Sequence, residues 1–266
     1  MVQLSTERFN PLIEIDSLGE DLGAIAVDFA AAVPSPKPSF TRQQAGAQIV
    51  RDNVRWTADF DGVTRVSYAF RSTFNGESPL AFSRFDEAQI GATTAALQSW
   101  SDVANIVFTR GGNGTTGDNA YADNATMLFA NYNSGKSDGG AAYAYYPGSR
   151  SDGSNAGDLW VNQFATSSNT LGYLSYGNMV LTHEIGHAIG LNHPGKYNAA
   201  VGVSLTYAAN AEYVEDTRQY TIMSYFSASN TGATVLGYAA APLVDDDVFV
   251  ILSAPAPRLL SWAWIN

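Results

Sequence analysis

The succession of predicted elements along this chain indicates an α+β fold, in which a twisted mixed sheet is backed by two long helices. Three observations lead to that prediction. Short segments rich in aromatic, β-branched and small residues are typical of strands, two long segments have helical patterning, and the chain after His193 shows no regular pattern. A length of 266 residues allows one large domain or two small ones with a proper core.

The first helix and the first strand follow a weakly patterned start. Residues 1–38 end in a proline-rich, linker-like run. Thr41 with Gln44 forms a capping-box pattern, which predicts a helix from Thr41 to about Arg51. From Val63 to Arg71 the residues alternate between two sets on opposite faces, which predicts a strand.

The two long helices come later in the chain. The first of them is predicted from Ser83 to about Val103, because Asp86 and Glu87 place negative charge in its first turn, where it interacts favourably with the helix dipole. Part of its buried stripe is supplied by Ile90, Leu97 and Val103. Further short strands are predicted over residues 105–109, 127–132, 141–146 and 159–161, and the second long helix over Asn178–Ile189.

The composition excludes several classes of function. The formal net charge is −11 and Lys and Arg together number 14, without a basic cluster, so nucleic acid and membranes are not expected as partners. Cysteine is absent, which excludes disulfides and thiolate-bound metals. No stretch approaches a transmembrane length, and no basic region followed by an apolar one opens the chain, so a classical secretory signal is not expected.

All three histidines lie between positions 183 and 193, in the pattern His-Glu-x-x-His-x-x-Gly-x-x-His. Residues four apart on a helix point the same way, so His183 and His187 can chelate one ion, while Glu184 can reach a water on it. Gly190 can adopt the left-handed conformation that ends a helix, after which the chain can return His193 as third ligand. Three neutral imidazoles leave an open position, which is typical of catalytic zinc.

Less specific interpretations of these residues stay open at this point. The histidines can form a structural zinc site, although such sites usually contain cysteine or a fourth protein ligand. Glu184 can be an ordinary helix glutamate, Met223 a core-filling side chain and Tyr225 a packed aromatic residue. Residues 141–146 can be an ordinary half-buried strand.

The histidine segment resembles the metzincin signature, and Pro194 after its third histidine is typical of one branch, the serralysins. Three further runs resemble that branch: residues 193–199, 213–225 leading into the Met-turn, and 241–246. The similarity covers roughly residues 39–246, the proteolytic domain of the family. It leaves 1–38 as an N-terminal segment that corresponds to the family's propeptide and 247–266 as a divergent tail. Another metzincin branch is an alternative that fits residues 213–225 less well.

The resemblance implies a role for each site residue. The ligands of a single catalytic Zn²⁺ would be His183, His187 and His193. Glu184 would be the general base, and Met223 would form the hydrophobic floor beneath the metal. Tyr225 would be an additional metal ligand that swings away on substrate binding and donates a hydrogen bond to the oxyanion.

The resemblance also implies how substrate is held. The zinc would lie in a cleft between an upper subdomain and a smaller irregular lower one. An edge strand containing Ala142, Tyr143 and Ala144 would pair antiparallel with an extended peptide through main-chain hydrogen bonds, which favours broad specificity. The expected protein is a monomeric, extracellular metalloendopeptidase that acts on proteins and peptides, with a proteinaceous inhibitor as a further partner.

The C-terminal tail departs from the family. Serralysins continue into glycine- and aspartate-rich calcium-binding repeats, whereas residues 247–266 contain Pro255 and Pro257 and end in an apolar run. Calcium binding and the family's C-terminal export signal are therefore not supported by this chain. A truncated or frame-shifted end is one interpretation, and the alternative function is that of a catalytically impaired zinc- and peptide-binding remnant of a serralysin.

Overall fold

The computed structural model describes residues 37–74, 81–135, 140–148, 155–165, 170–172, 174–233 and 237. The helices in this part of the chain are α1 (Arg42–Ile49), α2 (Glu87–Val103), α3 (Tyr176–Ile189) and the short α4 (Tyr207–Asn210). The strands are β1 (Thr64–Phe70), β2 (Ile106–Arg110), β3 (Met127–Tyr132), β4 (Ala142–Ala144) and β5 (Leu159–Asn162). The α+β class and the two long helices expected from the sequence are confirmed.

The strands form one mixed sheet in the order β2-β1-β3-β5-β4. The first four strands in that order pair in parallel. β4 pairs antiparallel with β5, with Tyr143 opposite Trp160. β4 is shorter than the predicted 141–146, because a β-bulge interrupts the regular pairing after Ala144. The Tyr145 N–H donates to the Asp158 carbonyl (2.9 Å) and the Tyr145 carbonyl accepts the Gly157 N–H (3.0 Å), so two residues face one, and Gly157 has a φ of 80°.

α2 begins at Glu87, so its predicted start at Ser83 was wrong. Asp86 is the N-cap and forms a capping box with Gln89, whose backbone N–H donates to the Asp86 side chain at 2.8 Å. The backbone of Ser83 pairs instead with that of Asn131 in β3, through hydrogen bonds of 3.1 and 2.9 Å. The sequence here fits a helix start at either Ser83 or Asp86, and the pairing of Ser83 with β3 excludes the first.

The remaining helix predictions differ little from the structure. Thr41 caps α1 with the expected capping box, and Gln44 accepts the Thr41 N–H at 2.9 Å. α3 starts at Tyr176, slightly before the predicted Asn178, because the Ser175 side chain caps it. None of the helices in the described part of the chain combines the length and apolar character needed to cross a bilayer.

The main core lies between the sheet and the two long helices. It contains Phe70, Phe129 and Leu159 from the strands, Leu97 and Trp100 from α2, and Leu181 and Ile185 from α3. Trp100 is fully buried, and its indole N–H donates to the Thr182 carbonyl at 2.9 Å, which fixes α2 against α3. Burying this apolar surface holds α3 rigidly against the sheet.

The chain after α3 is irregular, as predicted. Between residue 191 and residue 233 the regular elements are α4 and a short 3₁₀ helix, Ala228–Thr231. This region packs against the start of the described chain: the Phe40 and Tyr213 rings stack at 4.4 Å, and the Pro38 carbonyl accepts the Val214 N–H at 3.0 Å. The predictions made for residues 1–36, for 241–246 and for the tail lie outside the described residues.

Candidate active site

α3 carries two of the three histidines on one face. His183 and His187 are one helical turn apart, and their Nε2 atoms lie 3.1 Å from each other. Both side chains are essentially inaccessible to solvent, at 1% and 0% exposure. Buried polar side chains need hydrogen-bond or metal partners, so the groups around the two rings determine their role.

Gly190 ends α3 and reverses the chain. It has a φ of 114°, and the Leu191 N–H donates to the Gly186 carbonyl at 2.9 Å, as in a Schellman-type C-cap. A Cβ at this position would lie 2.0 Å from the carbonyl oxygen of Val54. Both the backbone conformation and the close approach therefore require glycine, as the sequence predicted for the helix end.

The reversed segment returns His193 to the other two histidines. Its Nε2 lies 3.3 Å from that of His183 and 3.0 Å from that of His187. The return path is held by α1 and the residues after it: Arg51 donates to the His193 carbonyl at 2.6 Å, and the Asn192 N–H donates to the Ile49 carbonyl at 2.7 Å.

Each imidazole is oriented by a hydrogen bond at its other nitrogen. The Nδ1 atoms of His183, His187 and His193 lie 2.7, 2.6 and 3.0 Å from the backbone carbonyls of Ile222, Leu191 and Tyr197, respectively. A carbonyl oxygen can only accept, so each Nδ1 carries the proton. All three Nε2 atoms therefore present lone pairs to one point.

Three lone pairs at 3.0–3.3 Å repel one another unless a cation lies between them. A tetrahedral Zn²⁺ with bonds of about 2.0 to 2.1 Å to nitrogen has ligand atoms about 3.3 to 3.4 Å apart, and the three separations lie within about 0.4 Å of that arrangement. Within the described residues, this is the one group of His, Cys, Asp or Glu side chains with metal-ligand spacing, and no carboxylate belongs to it. Three protein ligands of this kind would leave a fourth position on a tetrahedral ion.

Glu184 follows the first histidine on α3 and has 0% exposure. Burial of an ionised carboxylate is costly unless a positive charge lies nearby, and a divalent cation at the three histidines would supply that charge. The structure thus places Glu184 on the same helical turn as His183 without including it in the three-histidine group.

Met223 packs directly beneath α3. Its side chain is fully buried, and its Sδ and Cε atoms lie 2.5 and 3.2 Å from where a Cβ on Gly186 would be. The preceding residue, Ile222, supplies the carbonyl that orients His183. The 222–223 segment therefore supports the helix at the turn between the two histidines, and glycine at 186 makes room for it.

Tyr225 lies on the third histidine. Its ring centroid is 4.3 Å from that of His193, 6.0 Å from that of His183 and 5.2 Å from that of Tyr197. The structure thus places Glu184, Met223 and Tyr225 beside the three histidines. These residues come from two segments that are separated in the chain.

The predicted substrate strand lies beside this cluster. Ala142, Tyr143 and Ala144 form β4, the last strand in the sheet order, and α3 contacts it. Just beyond β4, the Tyr146 ring packs edge-on against His187 at 5.8 Å, and its hydroxyl donates to Asn192 Oδ1 at 2.8 Å. β4 is therefore fixed relative to the histidines at its C-terminal end.

Asp216 is a buried polar residue that sequence reasoning missed. Its Oδ1 accepts hydrogen bonds from the Tyr197 hydroxyl and the Ser224 hydroxyl, both at 2.7 Å. Burial raises the pKa of Asp216 to about 6. Burial, together with the nearby Asp216 carboxylate, also raises the pKa of Tyr197 well above its usual value. In the sequence Asp216 stands beside Glu215 and has no pattern that distinguishes it from a surface acid.

The chain is similar in sequence to one protein family and to several curated proteins. Residues 35–247 match the family described as metallo-peptidase family M12B, reprolysin-like. Serralysin A of Dickeya chrysanthemi is 44% identical over 218 residues, which cover 79% of this chain and 43% of the relative. Metallopeptidase AprA of Pseudomonas marginalis is 41% identical over 222 residues (79% and 44%), and serralysin of Photorhabdus sp. strain Az29 is 34% identical over 259 residues (90% and 51%). The chain spans about half the length of these curated relatives.

Proposed function

This chain belongs to the reprolysin-like metallopeptidases of family M12B, and from that premise we propose that it is a zinc-dependent endopeptidase. The observation that carries the proposal is the convergence of three Nε2 lone pairs, each fixed by a hydrogen bond from Nδ1 to a backbone carbonyl. The resemblance to serralysins is confirmed by relatives 34% and 44% identical to this chain.

His183, His187 and His193 would hold the metal. Neutral imidazoles in a three-ligand set fit a catalytic zinc ion. A zinc ion held there would supply Lewis acidity, which lowers the pKa of a water molecule and polarises a carbonyl. The backbone carbonyls behind the three rings increase the basicity of the ligands and hold their orientation.

Glu184 would act as the general base. Its carboxylate takes a proton from the attacking water as the oxygen–carbon bond forms, and then delivers that proton to the amide nitrogen as the carbon–nitrogen bond breaks. The products are a carboxylic acid and an amine, so the atoms balance. Tyr225, whose ring lies against His193, would donate a hydrogen bond from its hydroxyl to the oxyanion of the tetrahedral intermediate.

β4 would align the substrate. It is the outermost strand in the sheet order and lies beside α3, so an extended peptide running antiparallel to it would pass the histidines. Recognition through the main chain of residues 142–144 depends little on substrate side chains, which supports broad specificity. Proteins and peptides are the proposed substrates.

The remaining properties follow from the serralysin resemblance. We propose an extracellular, monomeric enzyme that a proteinaceous inhibitor can bind, with residues 39–246 as the protease domain, 1–38 as an N-terminal segment and 247–266 as a tail. The family match over residues 35–247 supports this division.

Hydrolysis of an unfolded protein tests the proposal. Fluorescein-labelled casein should be cleaved by the purified full chain, cleavage should stop with a zinc chelator, and it should return when zinc is added in excess. Glu184→Gln should bind zinc with unchanged affinity and lose nearly all cleavage. A folded, zinc-loaded chain that binds peptides without cleaving them would contradict the proposal and support the impaired, peptide-binding alternative.

A further inference from the structure

We infer that Asp216 is a positioning residue that fixes both the loop of the third histidine and the segment carrying Tyr225. The inference rests on the proposed function, since it assigns a purpose to those two parts of the site. One carboxylate oxygen, Oδ1, accepts a hydrogen bond from each of the two segments. Within the described residues, Asp216 does not belong to the group with metal-ligand spacing.

The first connection runs through Tyr197 to His193. The Tyr197 hydroxyl donates to Asp216 Oδ1 at 2.7 Å, and the Tyr197 carbonyl accepts the His193 Nδ1–H at 3.0 Å. The Tyr197 and His193 rings are nearly parallel, with an interplanar angle of 14° and centroids 5.5 Å apart. Tyr197 is therefore held at its hydroxyl by Asp216 while its backbone orients the metal-binding imidazole.

The second connection runs through Ser224 to the Tyr225 segment. The Ser224 hydroxyl donates to Asp216 Oδ1 at 2.7 Å and accepts the Phe226 N–H at 3.1 Å. These two bonds fix the backbone on both sides of Tyr225. The Arg218 N–H donates to the Phe226 carbonyl at 2.8 Å, so the Asp216 segment is also tied to the far end of this turn.

Because the three side chains are buried, their hydrogen bonds are strong and allow little variation in distance and angle. Asp216, Tyr197 and Ser224 are exposed by 0%, 7% and 1%. Hydrogen bonds to an ionised acceptor are short and about twice as strong as neutral ones. Within the described residues the second oxygen of Asp216, Oδ2, is buried without a hydrogen-bond partner.

Burying the Asp216 carboxylate in this way contributes little to the stability of the fold. Removing a carboxylate from water costs hydration energy, and Asp216 recovers only part of it, since Oδ2 has no hydrogen-bond partner among the described residues. The geometry instead suits precise placement: one fixed acceptor sets the distance between the Tyr197 and Ser224 hydroxyls, and so between the third histidine and Tyr225.

The test uses the full chain with zinc and with cobalt(II) in its place, since the visible spectrum of cobalt(II) reports the geometry of its ligands. Asp216→Ala should weaken zinc affinity, measured by chelator competition, and lower kcat on labelled casein, each by about 10- to 100-fold, and should alter the cobalt spectrum. Asp216→Asn keeps an oxygen acceptor and should restore most of each property.

Single-connection variants separate the two effects. Tyr197→Phe should weaken zinc affinity and change the cobalt spectrum, whereas Ser224→Ala should lower kcat with nearly unchanged zinc affinity and KM. Tyr207→Phe is the matched control for the tyrosine, because its hydroxyl donates to the Val214 carbonyl at 2.9 Å and not to Asp216. Ser229→Ala, at an exposed serine of the same region, is the control for Ser224.

Each outcome supports or overturns the positioning role of Asp216. A folded Asp216→Ala protein with parental zinc affinity, cobalt spectrum and kcat would overturn the inference. If Asp216→Ala fails to fold, Tyr197→Phe and Ser224→Ala decide, and values equal to those of their controls would overturn it. If the parent chain cleaves no substrate, the proposed function fails alone, and the zinc affinity and cobalt spectrum of Tyr197→Phe and Asp216→Asn still test the positioning role.

Discussion

Replacing Gly190 by alanine tests whether the chain reversal that returns His193 depends on the lack of a side chain. Gly190 has a φ of 114°, in the left-handed region that costs an L residue about 1 to 2 kcal/mol. A Cβ there would lie 2.0 Å from the Val54 carbonyl oxygen and 3.0 Å from its carbonyl carbon. Because both are backbone atoms, the two segments must separate, which adds about 1 to 3 kcal/mol. Gly190→Ala should therefore lower the free energy of unfolding by about 2 to 5 kcal/mol.

Two other glycines separate the cost of the backbone conformation from the cost of the steric contact. Gly202 also has a positive φ, of 78°, but a Cβ there would have no atom within 4 Å. Gly202→Ala should show only the conformational cost, about 1 to 2 kcal/mol. Gly91 lies in α2 with ordinary helical geometry and open space around it, so Gly91→Ala should stabilise the protein by about 0.5 to 1 kcal/mol.

Urea titration of the zinc-loaded proteins, followed by circular dichroism, measures all three, and chelator competition measures zinc affinity alongside. Gly190→Ala should also bind zinc more weakly, since His193 depends on this reversal. A loss of stability no larger than that of Gly202→Ala, with parental zinc affinity, would refute the proposed close approach to Val54.

Three further predictions concern the site. Tyr225→Phe should lower kcat on labelled casein more than it raises KM, and an unchanged kcat would remove Tyr225 from the reaction. Arg51→Ala removes the 2.6 Å donor to the His193 carbonyl and should weaken zinc affinity about 10-fold, unlike Arg65→Ala at an exposed ion pair; equal affinities would contradict this. The raised pKa of Asp216, about 6 against an ordinary 3.8, means that its stabilising contribution is present at low pH and lost as the pH rises through 6. In urea titrations of the chelated proteins, the parent should lose about 1.4 kcal/mol relative to Asp216→Asn between about pH 5 and about pH 8, and a constant difference would contradict it.

The candidate metal ligands could be predicted from the sequence because their geometry is local. Two histidines four apart on a helix must share a face, and a glycine after them can end the helix, so His183, His187 and Gly190 could be interpreted without any distant contact. The capping box at Thr41 was recognisable for the same reason.

The features that the sequence did not reveal depend on distant contacts. Ser83 was placed in α2 because its local pattern fits a helix start, but pairing with Asn131 decided otherwise. Arg51 contacts the His193 carbonyl, 142 residues later in the chain, and nothing near Arg51 in the sequence indicates this. Asp216 is likewise recognisable only when Tyr197 and Ser224 are seen to converge on it.

The supports of the three imidazoles also bear on how the protein folds. The histidines are neighbours in sequence, but His193 is held by Arg51, and His183 by the carbonyl of Ile222. Closing such long loops is entropically costly and slow. We therefore expect α3 to form before Ile222 orients His183 and before Arg51 fixes the segment of His193. Refolding followed by helix signal and by zinc uptake should therefore give two phases, with tight metal binding in the later one.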